Sequence, residues 1–299
     1  MRGPKFWCIS LVLVTALWGW SFVAIHSALQ EISASSLNAY RFIFGSIAMT
    51  PFVSGALRKV PILAILQSAG VGFILFLAFT FQTSGLAYTS ASNASFITGL
   101  AVVFTPVFSY LLFGEVPNKR QAAGAVLATL GLGLLTLKEF STHIGDLLVL
   151  VCAIFTALHV VLLSKYSKNV DPLPLAYVQV LVVGLLSLAW SFLEGTLAPV
   201  RTTGVFLSLI VIGVLGTAVA YYVQTRAQVG AKASTIALIL VFEPVFGGIF
   251  GYLIGGDRLT ETNVVGACLI LVGMVVTELD WISLKARLAS SRRKQTPTA

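Results

Sequence analysis

Apolar runs of about 20 residues, long enough to cross a bilayer as helices, recur along the chain with short polar breaks between them. They predict ten spans: 6–26, 34–54, 60–81, 91–113, 121–137, 146–164, 173–193, 204–225, 234–255 and 262–280. Helix is the only conformation open to each, because an unpaired backbone group in lipid costs several kcal/mol. The expected fold class is therefore an all-α integral membrane protein.

A second regularity lies over the first. Shifted by about 142 positions, the stretch Ala78–Gly131 falls on a copy of itself. Gln82-Thr83 meets Gln224-Thr225, Ala91-Ser92 meets Ala233-Ser234, Val103-Phe104 meets Val245-Phe246, and Gly124 and Gly131 meet Gly266 and Gly273. About sixteen identities in 54 positions, with glycines and glutamines in register, point to duplication rather than shared apolar composition. Five spans is an odd number, so the two copies enter the membrane in opposite directions. The chain reads as two inverted five-helix repeats, 6–137 and 146–280, followed by a basic tail, 281–299.

Composition agrees: 57% of residues are hydrophobic and 10% charged. The net charge of +8 is spread over single and paired cations between apolar runs, which argues against nucleic acid as a partner. With a cytoplasmic N-terminus, the inner loops collect Arg2, Lys5, Arg58, Lys59, Lys119, Arg120, Lys165, Lys168, Arg226, Lys232 and the tail cations. The outer loops keep Lys138, Arg201 and Arg258. That bias predicts cytoplasmic N- and C-termini in a cell (inner) membrane. Cys8, Cys152 and Cys268 are isolated in apolar segments and read as small buried residues.

Ten helices in two repeats, with Tyr40-Arg41-Phe42 in span 2, Tyr88-Thr89-Ser90-Ala91-Ser92-Asn93-Ala94 entering span 4, Gly114-Glu115 closing it and Phe242-Glu243-Pro244-Val245-Phe246 in span 9, resemble the drug/metabolite transporter superfamily, EamA type. The resemblance implies a polytopic carrier working by alternating access. It also implies export of small metabolites such as amino acids, with spans 5 and 10 peripheral or at a dimer contact.

Two formal charges lie well inside spans, Arg41 and Glu243, and either is costly in hydrocarbon unless it faces protein or water. Glu243 precedes Pro244, which frees a carbonyl one turn earlier. A carboxyl there is a candidate for binding cargo or carrying protons, or a structural partner of Arg41. Arg41 is open to snorkelling, to pairing with Glu243 or to binding a cargo carboxylate. Ser95, Thr98, Thr105 and Ser109 share one face of span 4 with Val102, a pattern of close packing or of a cavity wall. Gln82, Asn93 and Gln224 offer neutral amides able to read a carboxylate or an ammonium. Trp18 and His159 occupy matching places in Thr15-Ala16-Leu17-Trp18 and Thr156-Ala157-Leu158-His159, and are expected to face each other across the pseudo-twofold axis. Trp18, Gln82, Asn93, His159, Gln224 and Glu243 are thus the expected cargo residues, with Arg41 and Glu243 as coupling or ion-pair groups. Gly124/Gly131 and Gly266/Gly273 make small stripes suited to close helix contact, within one chain or in a homodimer through spans 5 and 10. No nucleotide, metal or cofactor motif is present. A channel and, remotely, an intramembrane hydrolase are the rival readings.

Overall fold

Each expected span becomes a helix, and the interruptions fall where the backbone ladder is disturbed. The computed structural model describes residues 4–114, 116, 118–136, 144–167, 170–230, 236, 239–258 and 260–278. The basic tail, the start of span 9 and Glu115 lie outside the described residues. The helices are α1 (Pro4–Ala28), α2 (Ala34–Leu57), α3 (Ile62–Leu86), α4 (Ala91–Gly99 and Ala101–Phe113), α5 (Lys119–Thr136), α6 (Ile144–Tyr166) and α7 (Pro172–Leu193). They continue with α8 (Thr203–Gly213 and Ala220–Gly230, joined by a π-turn at Val214–Val219), α9 (Phe242–Leu253) and α10 (Glu261–Glu278). Six of these spans are long and apolar enough to cross a membrane by length and composition.

Polar caps start several helices. Ser33 accepts from Ser36 N–H ahead of α2, Ser90 from Asn93 N–H ahead of α4, and Asp171 from Leu173 N–H ahead of α7. These side chains satisfy amides that a helix start leaves unpaired.

The packing is symmetric under exchange of the two halves. α1 lies against α8 and α9, and α6 against α3 and α4; α2 packs on α8, and α7 on α3; α2 meets α7 and α5 meets α10. The halves are therefore interwoven. One bundle is α1, α2, α8 and α9, the other α3, α4, α6 and α7. Each mixes helices of both repeats, so the packing units are not the repeats themselves. Small residues permit the crossings: a Cβ on Gly45 would lie 3.0 Å from Gly213 O, and one on Gly72 3.0 Å from Gln179 Cα.

The glycine stripes of α5 and α10 meet each other inside one chain. A Cβ on Gly131 would sit 2.5 Å from Gly266 O, and one on Gly273 2.6 Å from Gly124 O. A homodimer built on these helices would have to use their outward faces.

Candidate functional site

Three helices are interrupted at mid-length, and the interruptions surround one cavity. In α4 the ladder tightens at Leu100, whose N–H bonds to Ile97 O. In α9 the helix restarts at Phe242 after Val241, because Pro244 has no N–H for the carbonyl of Leu240. The breaks at Leu100 and Val241 coincide to within one residue under the repeat offset, so they are a pseudo-symmetric pair. They touch: a Cβ on Gly99 would lie 2.9 Å from Pro244 Cγ. In α8 the π-turn makes the Gly216 carbonyl available to side chains, as such turns commonly do at functional sites. Trp18 Nε1 donates to it at 2.8 Å and Arg41 Nη2 at 3.4 Å.

The cavity has a volume of about 60 Å³. That is room for a few water molecules, at roughly 10–15 Å³ each, and far below the ~300–1,000 Å³ of pockets that hold drug-sized ligands. In this conformation the cavity is smaller than a drug-sized solute. Between Ser92 and Pro244 the bundles are sealed. Asp257 Oδ2 accepts from Ser92 N–H at 2.8 Å. A Cβ on Gly247 or Gly251 would collide with Ser95 or Ser92 respectively.

Five of the six expected cargo residues, Trp18, Gln82, His159, Gln224 and Glu243, line this cavity together with Arg41. Asn93 does not. It sits in the first turn of α4, five residues before Thr98, so roughly 7–8 Å along the helix from the part of α4 that reaches the cavity. Of the span 4 stripe, Thr98 lines the cavity, while Ser95 packs on Gly247 and Thr105 bonds back to Ala101 O.

Arg41 is 1% exposed and does not snorkel. Its Nε donates to Thr217 Oγ1 at 2.9 Å, and its guanidinium carbon stands 4.6 Å from the centre of the Phe79 ring and 5.3 Å from that of Phe42. Among the described residues no ion pair joins it to Glu243; the two groups of opposite formal charge face one cavity and interact through it without direct contact. Trp18 and His159 do approach a common neighbour. Their rings lie 5.8 and 6.2 Å from that of Tyr221. His159 Nε2 meets Gln179 Oε1 at 2.8 Å, and Gln179 Nε2 donates to Leu175 O at 2.9 Å. Since the Gln179 oxygen only accepts, His159 carries its proton on Nε2 in this bond.

Thr217, Gln179 and Phe79 were not among the expected site residues, and Tyr221 could be read from the sequence as pocket-lining or as packing. Phe79 and Tyr221 are mates under the offset that aligns the glutamines, and Gln179 is the one amide in an otherwise apolar span, so both carried a readable signal.

The sequence profile of the EamA-like transporter family matches twice, over residues 5–137 and 143–279. The chain belongs to the EamA-like transporter family. An uncharacterized transporter of Archaeoglobus fulgidus is 34% identical over 271 residues, 91% of this chain and 85% of the relative. The uncharacterized transporter YcxC of Bacillus subtilis is 25% identical over 290 residues, 91% of this chain and 92% of its own. A WAT1-related chloroplastic protein of Arabidopsis thaliana is 26% identical, covering 86% of this chain and 66% of its own. A solved crystal structure superposes with a TM-score of 0.68 at 17% identity, over 97% of this chain and 99% of that one, and shares the fold. This EamA-like protein is a multi-pass membrane transporter and not an enzyme, so the hydrolase reading lapses.

Proposed function

We propose that this EamA-like protein is a secondary carrier that exports small metabolites, amino acids or related compounds, by alternating access, with Glu243 coupling the cycle to protons. One observation carries the reading: Arg41 and Glu243 line one small cavity without forming an ion pair, next to breaks in helices of both bundles. Cargo sites of inverted-repeat carriers form at such breaks. Arg41 is placed to meet an anionic group on the cargo, and Glu243 an ammonium or a proton. Trp18, Phe79 and Tyr221 supply an aromatic wall, with Gln82, Gln224 and His159 among its polar groups. The moving bodies in this reading are the two mixed bundles, not the repeats 6–137 and 146–280. The protein sits in the cell membrane with both termini, including the tail 281–299, on the cytoplasmic side, as the loop charges require.

The test is flux of radiolabelled L-amino acids in proteoliposomes under an imposed pH gradient. Saturable, gradient-driven movement supports the carrier. Non-saturating flux would identify an uncoupled facilitator or channel, and saturable flux indifferent to the gradient would remove proton coupling.

A further inference from the structure

The pseudo-twofold axis supplies the cavity with matched walls. Phe79 and Tyr221, Gln82 and Gln224, and Thr98 and Leu240 are repeat mates, and all six line it. The copies are not equivalent. Gln82 Nε2 donates to Thr98 Oγ1 in a long bond of 3.4 Å. The repeat mate of Thr98 is Leu240, which lines the cavity with Gln224 and has no hydroxyl to offer it. Among the described residues the Gln224 amide oxygen meets no donor, although the side chain is only 4% exposed. A buried acceptor without a partner is uncommon and raises the free energy of the fold.

The difference follows the bundles. His159 and Gln82, on the α3/α4/α6/α7 bundle, are occupied by Gln179 and Thr98. On the α1/α2/α8/α9 bundle, Arg41, Glu243 and Gln224 line the cavity, and of the two matched glutamines it is Gln224 that has a buried amide atom without a partner among the described residues. Along α8, Thr217 holds Arg41 two turns away from Gln224, a backbone rise of roughly 10 Å. Tyr221 lies between them.

We propose that Gln224 is the specificity-determining amide of the cargo site, and that Leu240 is the positioning residue that keeps its oxygen available by placing an alkyl group where its repeat mate Thr98 has a hydroxyl able to donate as well as accept. The inference rests on the cavity being the cargo site. It describes the cargo as a small molecule with an anionic group for Arg41, an apolar or aromatic middle against Tyr221, and an N–H or O–H for Gln224.

Two measurements on the full-length protein test it. Without any ligand, Gln224→Met raises Tm by removing an orphaned acceptor, whereas Gln82→Met, which breaks a bond, lowers it. In proteoliposomes, Leu240→Thr gives Gln224 an internal partner and raises the KM for L-phenylalanine about three- to tenfold, the factor expected for one hydrogen bond, with kcat unchanged. A fall in Tm for Gln224→Met as large as that for Gln82→Met overturns the proposal, as does an unchanged KM in an active Leu240→Thr carrier. If the natural sequence moves no L-phenylalanine, that cargo assignment fails separately, and the ligand-free comparison alone decides the role of Gln224.

Discussion

Arg41 is anchored by Thr217: a buried cation of α2 donates from Nε to a hydroxyl of α8 at 2.9 Å, across the join between the two sequence repeats. Hydrogen bonds to charged groups contribute about 1.5–3 kcal/mol, and a buried donor left without its acceptor loses that amount. Thr217→Val is therefore expected to lower thermal stability by an amount in that range, and Thr217→Ser to retain most of it. Arg41→Lys is not a substitute, since an ammonium cannot reach Thr217 and the Gly216 carbonyl with one planar fork. Unfolding of purified protein by fluorescence-detected heating measures all three. Equal stability of the valine and serine variants would show the bond to be idle.

Glu243 opens the short helix after the break in α9 and faces the same cavity as Arg41. Glu243→Gln keeps the shape and the hydrogen-bonding reach of the side chain but cannot exchange a proton. The expected outcome is carriage that equilibrates solute without concentrating it, so that accumulation under a pH gradient falls to the level seen without one. Full gradient-driven accumulation by the Gln variant would assign the coupling elsewhere.

Much of this site was legible because its members are conspicuous in an apolar chain. Glu243, Arg41, Gln82, Gln224 and His159 are polar groups where lipid tolerates few; the repeat offset ties Gln82 to Gln224, and the shared Thr-Ala-Leu segment ties Trp18 to His159. The bundle membership was not legible. In a membrane helix the lipid-facing and partner-facing surfaces are both apolar, so periodicity does not reveal that α1 packs on α9 rather than on its own half. Asn93 lies off this cavity for a related reason: polarity near the start of a helix serves its first turn as readily as a cavity. The π-turn of α8 left no mark either, and the groups that bond to its Gly216 carbonyl, Trp18 and Arg41, come from distant parts of the chain.

α5 and α10 meet through glycine against backbone, which gives a side chain at that crossing nowhere to go. Gly131→Leu would press a branched side chain into the Gly266 carbonyl and the Ile270 side chain. Overpacking of this kind costs about 1–3 kcal/mol. Gly131→Leu is expected to destabilise the monomer and to leave its state of association as it was. A change in cross-linked dimer yield, with monomer stability unaltered, would instead place this stripe between two chains.

Glu31, in the connection from α1 to α2, ties down the start of α8. Its Oε1 accepts from the backbone N–H of Thr202 at 2.9 Å and from that of Arg201. Bonding to the Thr202 side chain first, then to these amides, with the nearby Arg201 charge adding to them, holds its carboxyl below the ordinary value of 4.5. The sign follows from linkage: the folded protein binds this proton less readily than the unfolded chain does. The contact therefore stabilises the fold at neutral pH, and that contribution disappears as pH falls from the ordinary carboxylate range through the depressed value. Glu31→Gln should melt below the natural protein by a constant margin between pH 6 and 8, and the two curves should converge on acidification below about pH 4. A margin that persists unchanged into acid would mean that the connection is held by shape rather than by charge.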